Sequence, residues 1–266
     1  NNWLKSPEEL PIFPPNAHPT DDSVLTCAVA DALIASAVHG DASENTLRVD
    51  PVQFQRKVRA ALRDWGCAFP KAGYGSRFMR WMLSDTDAPT GSLGNGSAMR
   101  ASGCAWAARS LSEALELAAL SALPTHNHPE GVAGAQAAVW LIYRLREGAD
   151  PEKLRREWND LWGQPLGELP QLTALEAARP IRTDLRCSAT LPVAAALVLG
   201  SSSYEETVRR AVALGGDCDT IAAIAGAAAE AAWGVPEELR AKVDALLPIR
   251  LIESVFAVSA PKRMPA

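Results

Sequence analysis

The chain has 266 residues, of which 48% are apolar and 21% are charged, and its formal net charge is −5. A chain of this length can bury a sizeable core, and its acidic balance argues against a strong nucleic-acid-binding surface. The five cysteines are never spaced as Cys-x-x-Cys, so we expect neither a disulfide framework nor a structural zinc site. Free cysteines, with no signal-peptide pattern and no apolar run of about 18 residues, favour a cytoplasmic protein without membrane spans.

The predicted secondary structure is helical throughout. Residues 1–19 are rich in proline and are expected to form an irregular lead-in. A helix is predicted from Asp21, because apolar residues recur at helical spacing as far as Leu33. Residues 69–103 predict a long functional loop with a short helix over 78–83. The other predicted helices are 51–65, 105–122, 129–146, 151–162, 192–199, 204–214, 217–233 and 236–246, with an irregular stretch over 163–192.

The absence of strand-like alternation and of internal repeats predicts one all-α domain over residues 1–266.

The first candidate site is the segment Thr20-Asp21-Asp22-Ser23 at a predicted helix start. Adjacent carboxylates suit a hard cation such as Mg²⁺. Ordinary helix capping accounts for the same residues, because acidic and hydroxyl side chains are favoured at that position. Taken alone, this segment favours capping.

The second candidate site is Gly215-Gly216-Asp217-Cys218-Asp219-Thr220, again at a predicted helix start. A cap needs one side chain, and this segment offers two carboxylates and a hydroxyl. Two such clusters are compatible with one binuclear site, in which metals about 4 Å apart hold a substrate and orient a water.

Two further segments carry weaker signals. The glycine-bearing loop from Gly94 to Arg100 could present backbone N–H groups to a phosphate, although a plain turn is the more common explanation. Tyr74 and Gly75 lie in the same loop-rich region and could shape the same pocket.

The histidine pair in Thr125-His126-Asn127-His128-Pro129 is open to three interpretations. It could bind a transition metal, although no cysteine or histidine cluster supports this. It could form an ordinary helix start, since proline suits a first helical turn. We favour the intermediate interpretation, in which one of the two histidines contacts a polar ligand.

In this order the segments TDDS, GNGSAMR, THNHPEG and LGGDCDTIAAIAG resemble the ADP-ribosylglycohydrolase family, which includes the dinitrogenase reductase-activating glycohydrolases. The resemblance covers about residues 20–233. It implies an orthogonal, multi-helix all-α fold with two Mg²⁺ ions, for which Mn²⁺ can substitute. It also implies that the chain hydrolyses the glycosidic bond joining ADP-ribose to an acceptor, most often a protein side chain.

The resemblance also assigns residues. The implied metal ligands are Thr20, Asp21, Asp22, Asp217, Asp219 and Thr220, and the implied catalytic carboxylates are Asp21 and Asp22. The implied substrate-binding residues are Tyr74, Gly75, Asn95, Gly96, Ser97, Met99 and His126.

The sequence departs from the family pattern in two places. Ser23 replaces a threonine and keeps its hydroxyl. Family members also carry, ahead of the TDDT-like segment, a helix with a Gly-Asp element followed by a gating and often catalytic glutamate. Residues 1–19 do not contain this element, and two explanations stay open: it lies outside the sequence given, or the protein lacks it. A catalytically impaired ADP-ribose-binding protein is therefore the alternative, and a metallohydrolase of phosphate esters is a more distant one. The acceptor and the oligomeric state stay open, with a monomer favoured.

Overall fold

The computed structural model describes residues 6–38 and 48–251, and over these residues the predicted all-α fold is confirmed. One 3-10 turn covers Pro7–Glu9 and another covers Asn95–Ser97. The α-helices of the described residues are α1 (Asp21–Ala35), α2 (Pro51–Ala68), α3 (Ser76–Met82), α4 (Ser102–Ala107), α5 (Leu111–Ala122), α6 (Pro129–Arg146), α7 (Pro151–Leu166), α8 (Leu172–Ala177), α9 (Cys187–Leu199), α10 (Tyr204–Ala213), α11 (Cys218–Trp233) and α12 (Glu237–Leu246).

A small antiparallel pair of strands follows α1. β1 (Ala37–Val38) pairs with β2 (Arg48–Val49), with Ala37 opposite Val49. We predicted no strand, and two-residue strands are too short for an alternating pattern to show in the sequence.

Helices α6 and α9 form the centre of the core. Every residue of α9 from Thr190 to Leu199 is buried, as expected of a helix that is apolar on all faces. In α6, Trp140 meets Trp158 and Trp162 of α7 edge to face, with ring centroids 6.3 and 6.4 Å apart. Most buried apolar side chains of the described residues form one contiguous cluster. The boundaries of a single domain over residues 1–266 stay a prediction.

The two candidate metal segments are carried by helices that touch. Helix α1 packs against α2 and α4 and also against α11, and α11 packs in turn against α6, α9 and α10. Since the predicted oxygen clusters stand at the N-terminal ends of α1 and α11, this packing brings two distant parts of the chain to one site.

The predicted helix over 105–122 is wrong, because the chain forms two helices there. Helix α4 ends at Ala107, and Ser110 caps α5 by accepting a hydrogen bond from the Glu113 amide at 3.2 Å. The Glu113 carboxylate in turn accepts from the Arg109 amide at 2.9 Å. A polar side chain that caps a new helix gives the backbone an alternative to continuing the old one.

Other predicted elements also differ, including the ends of α2 and α7, which run to Ala68 and Leu166 rather than to 65 and 162. Helix α9 starts at Cys187, so Pro192 lies inside the helix; we placed it at the start because proline lacks the N–H that a helix interior uses. Helix α8 falls in a stretch predicted to be irregular, since its six residues are too few for a periodic signal. Helix α3 covers Ser76–Met82 rather than 78–83, a shift of the size usual at helix ends.

The lead-in packs onto the helices that follow. Leu10 is buried, and its carbonyl accepts a hydrogen bond from Arg209 of α10. All five cysteines lie within the described residues and none is disulfide-bonded. No helix in the described part of the chain combines the length and apolar character that crossing a bilayer requires.

Candidate metal and ligand site

The first oxygen cluster is not a conventional helix cap. Thr20 stands at the N-cap position of α1, but its side chain makes no capping hydrogen bond. Its hydroxyl instead donates to Asp22 Oδ2 at 3.0 Å. Asp22 is 5% exposed, and its other oxygen, Oδ1, is buried without a hydrogen-bond partner. Helix capping therefore does not account for these side chains. One carboxylate oxygen of Asp22 is left without a hydrogen-bond partner.

The second cluster follows a turn that requires glycine. Gly215 and Gly216 have φ angles of 71° and 66°, which favour glycine. A Cβ on Gly216 would also lie 3.1 Å from the Ile181 carbonyl. Asp217 takes the N-cap position of α11 without a side-chain capping bond, and its Oδ2 accepts from Asn95 Nδ2 at 2.6 Å.

The pKa shifts of the acidic side chains indicate that the two clusters lie close together. Burial raises the pKa of Asp22 to about 6, and the nearby Asp219 adds to the rise, while hydrogen bonds from Thr20 and Thr220 oppose it. Burial followed by the charge of Asp22 raises the pKa of Asp21 to about 7. Such mutual effects between α1 and α11 require proximity in space.

The same coupling includes Asp217. Burial raises its pKa, the Asn95 hydrogen bond opposes the rise, and Asp219 adds to it.

The donor set of these clusters fits a hard divalent cation. It offers carboxylate and hydroxyl oxygens only, the ligands that Mg²⁺ and Mn²⁺ accept. The unpartnered Asp22 Oδ1 and the raised pKa values of Asp21 and Asp22 both indicate negative charge that lacks a counter-ion. Within residues 6–38 and 48–251, no group of three or more acidic, histidine or cysteine side chains is arranged to hold a metal ion. Mg²⁺ does not need such a group, because it keeps several waters and uses one or two carboxylates.

The glycine loop presents a free backbone donor. Asn95–Ser97 form a 3-10 turn. The amide of Asn95 donates to the Leu185 carbonyl at 2.7 Å, whereas the amide of Gly96 has no acceptor among the described residues. A free amide in such a turn is suited to an anionic oxygen.

Side chains of this loop hold it in place. The Ser97 hydroxyl, fully buried, donates to the Gly131 carbonyl at 2.6 Å. Asn95 Nδ2 reaches Thr190 Oγ1 at 3.0 Å as well as Asp217. The Met99 carbonyl accepts from Thr26 of α1 at 3.2 Å. The loop is thus fixed to α1, α6, α9 and the turn before α11, and the ligand roles expected of Asn95, Ser97 and Met99 stay predictions.

The two histidines have different roles. His128 is exposed and caps α6, with Nδ1 accepting from the Glu130 amide at 3.2 Å. His126 is 6% exposed and faces the glycine loop: a Cβ on Gly96 would lie 3.4 Å from its Nε2. The ordinary helix-start interpretation therefore fits His128, while His126 lies beside the glycine loop and its contact with a ligand stays a prediction.

Tyr74 and Gly75 border the first cluster. The Asp21 amide donates to the carbonyl of Ala72 at 2.8 Å, which holds this segment beside α1. The Tyr74 hydroxyl is buried without a hydrogen-bond partner, and burial with the nearby charge of Asp21 raises its pKa to about 12. Gly75 is the N-cap residue of α3.

Segment 181–187, which we did not predict as part of the site, links the loop to the second cluster. The Ile181 amide donates to the Leu214 carbonyl at 2.9 Å, and the Cys187 amide donates to the Leu93 carbonyl at 3.1 Å. Thr190, which accepts a hydrogen bond from Asn95, was not predicted either. No local pattern marks these residues, because their partners are distant in the chain.

Comparisons with known proteins identify the family and the fold. The chain is 25% identical over 277 aligned residues to the uncharacterized protein YegU of Escherichia coli (strain K12), covering 85% of this chain and 76% of the relative. A solved structure described as an ADP-ribosylglycohydrolase-related protein complex matches with a TM-score of 0.58 and 22% identity, over 90% of this chain and 95% of the other. That likeness shows the fold. A family model for ADP-ribosylglycohydrolase matches residues 2–263. The chain belongs to the ADP-ribosylglycohydrolase family.

Proposed function

We propose that this chain is a Mg²⁺-dependent hydrolase that releases ADP-ribose from a modified acceptor by cleaving the bond at C1″ of the distal ribose. Family membership supports a hydrolase of ADP-ribose-linked substrates. The observation that carries the metal dependence is the meeting of two acidic clusters around the buried, unpartnered Asp22 Oδ1. A protein side chain is the proposed acceptor and the cytoplasm the proposed location.

The proposed metal ligands are Thr20, Asp21, Asp22, Asp217, Asp219 and Thr220. Two Mg²⁺ ions held there would supply Lewis acidity, orienting ligand oxygens and lowering the pKa of a neighbouring water. Mn²⁺ has the same preference for oxygen ligands and is expected to substitute.

The chain's own groups have complementary roles in this proposal. The free amide of Gly96 binds the diphosphate, and His126 donates a hydrogen bond beside it. Positive charge develops on the ribose as the glycosidic bond breaks. The carboxylates of Asp21 and Asp22 stabilise that charge, and burial of the site strengthens the interaction. Tyr74 closes the side of the pocket next to Asp21.

The deciding experiment is a panel of acceptors carrying ADP-ribose on arginine, on serine and on a nucleic-acid end. Released ADP-ribose is measured with Mg²⁺, with a chelator and after Mg²⁺ or Mn²⁺ is restored, beside a generic phosphate ester. We expect metal-dependent release from one acceptor class and none from the ester. ADP-ribose binding without turnover of any acceptor would instead establish a binding protein, and turnover of the ester alone would establish a different metallohydrolase.

A further inference from the structure

His126 faces the glycine loop with one ring nitrogen and the protein interior with the other. Its Nε2 lies toward Gly96, and its Nδ1 lies 2.7 Å from Thr125 Oγ1. Burial, reinforced by the positive charges of Arg100 and Arg77, holds the pKa of His126 well below 6.5. The ring is therefore neutral at pH 7 and carries one N–H, so one nitrogen is a donor and the other an acceptor.

The Thr125 hydroxyl decides which nitrogen carries the proton. Arg100 Nη2 donates to Thr125 Oγ1 at 2.8 Å. A guanidinium has no acceptor, so the hydroxyl oxygen must accept that bond. The single hydroxyl proton then finds one acceptor within the described part of the chain, Nδ1 of His126.

The opposite arrangement would leave a buried donor unpaired. If Nδ1 carried the proton, Thr125 Oγ1 would accept from both His126 and Arg100, and its own proton would have no acceptor among the residues described. Thr125 is 1% exposed, and an unpaired donor in such a place costs free energy. The hydrogen bonds therefore run from Arg100 through Thr125 to Nδ1, and the ring proton is on Nε2.

Arg100 is an unusual residue to find at the start of this hydrogen-bond series. It is fully buried, and burial lowers its pKa to about 10, so it remains charged at pH 7. Its Nη2 also donates to the Ser121 carbonyl at 3.0 Å, while Nε and Nη1 are buried without partners. Hydrogen bonds to one carbonyl and one hydroxyl do not offset the cost of burying the guanidinium charge, which has no carboxylate partner among the described residues.

We propose that Arg100 and Thr125 are positioning residues that fix His126 in its Nε2–H tautomer, so that a neutral ring always presents a hydrogen-bond donor to the ligand on the glycine loop. The ligand class is an oxygen of a phosphate or of a ribose hydroxyl. The identity of that ligand rests on the proposed function. The tautomer does not, because it is a property of the ligand-free protein.

The test is nitrogen NMR of the full chain labelled on its histidine rings, with His126→Asn used to assign the resonances. We expect a proton-bearing Nε2 and a bare, hydrogen-bonded Nδ1 in the unsubstituted protein. Thr125→Ser keeps the hydroxyl and should keep this pattern. Thr125→Val removes the hydroxyl at nearly constant shape, and Arg100→Met removes the donor that orients it, so both should shift the ring toward a mixture of tautomers.

Calorimetric titration of the Mg²⁺-loaded proteins with ADP-ribose supplies the second readout. Affinity should fall about tenfold in Thr125→Val, the equivalent of one lost hydrogen bond, and should be unchanged in Thr125→Ser. A proton on Nδ1 in the unsubstituted protein, or an unaltered tautomer in Thr125→Val, would overturn the proposal. The expected tautomer without any ADP-ribose binding would support the positioning role and contradict the proposed function instead.

Discussion

Asn95 Nδ2 donates to Asp217 Oδ2 at 2.6 Å and so joins the glycine loop to the second acidic cluster, across 122 positions of the chain. The same nitrogen donates to Thr190 Oγ1 at 3.0 Å. Through the side-chain amide of Asn95, the position of the free Gly96 backbone amide depends on the position of the proposed metal ligand Asp217.

The first prediction tests that link with Asn95→Asp. The substitution replaces a donor with a second carboxylate beside Asp217, so the free energy of unfolding should fall by about 1–3 kcal/mol at pH 8. At pH 4 the loss should be small, because protonation relieves the repulsion. Thermal melts at both pH values measure this, with Asn159→Asp as control, since Asn159 uses an oxygen to accept from the Leu169 amide and aspartate can do the same. An equal loss at both pH values would argue against charge repulsion.

The second prediction concerns Asp22→Asn. The substituted side chain keeps an oxygen for the Thr20 hydroxyl but lacks the buried negative charge that Asp219 repels. The metal-free variant should therefore melt at a higher temperature than the unsubstituted protein, while the rise in Tm on adding Mg²⁺ should disappear. Differential scanning calorimetry with and without Mg²⁺ checks both. A variant that still gains stability from Mg²⁺ would show that Asp22 is not a ligand.

The third prediction links pH to metal binding. The folded-state pKa values of about 7 for Asp21 and about 6 for Asp22 exceed the ordinary value of 3.8. Between about pH 4 and 7, the folded, metal-free protein therefore binds more protons than the unfolded chain. The free energy of unfolding of the metal-free protein should accordingly fall as the pH rises through that range.

Mg²⁺ must displace the same protons. Its affinity should therefore fall about tenfold per pH unit for each proton displaced, once the pH drops below these pKa values. Titration calorimetry at pH 5, 6, 7 and 8 measures the effect, and proton release in buffers of different ionisation enthalpy counts the protons. An Mg²⁺ affinity that does not change with pH would contradict the assignment.

The fourth prediction uses Gly96→Ala to fill the space beside His126. The added Cβ would lie 3.4 Å from Cε1 and Nε2 of the ring, which is ordinary contact for the free protein and an obstacle to a ligand. We expect little change in Tm and an ADP-ribose affinity lowered about tenfold or more, since one direct hydrogen bond to Nε2 is blocked. Gly163→Ala is the matched control, because nothing lies within 4 Å of that site. Unaltered ADP-ribose binding in Gly96→Ala would place the ligand elsewhere.

The fifth prediction concerns the close approach of α6 to α9. A Cβ on Gly134 would lie 2.2 Å from Cys187 Sγ and 2.7 Å from its Cβ. Gly134→Ala should therefore reduce the free energy of unfolding by about 1–3 kcal/mol through overpacking. Chemical denaturation measures the loss. Gly163→Ala is the control, because the added methyl group on this helical residue meets no atom within 4 Å and should leave stability unchanged or raise it. A similar loss of stability in both variants would rule out the steric explanation.

The sequence alone determined the helical class and marked the two candidate oxygen clusters, for a physical reason. Helical periodicity and the residues that favour helix starts are local, and they marked α1, α2, α6, α7, α10 and α11 to within a few residues. Four carboxylates and two hydroxyls at two helix starts exceeded what capping needs, and this excess is visible in the order of residues alone.

Only the tertiary structure decided what the polar side chains do. Thr20 and Asp217 occupy cap positions without capping, because each hydrogen-bonds within the site instead. His126 and His128 look equivalent in the sequence, yet one is buried behind the glycine loop and the other caps α6. Arg100 meets Thr125 across 25 positions, and no local pattern reports such a pairing, since burial and hydrogen-bond partners depend on which helices pack together.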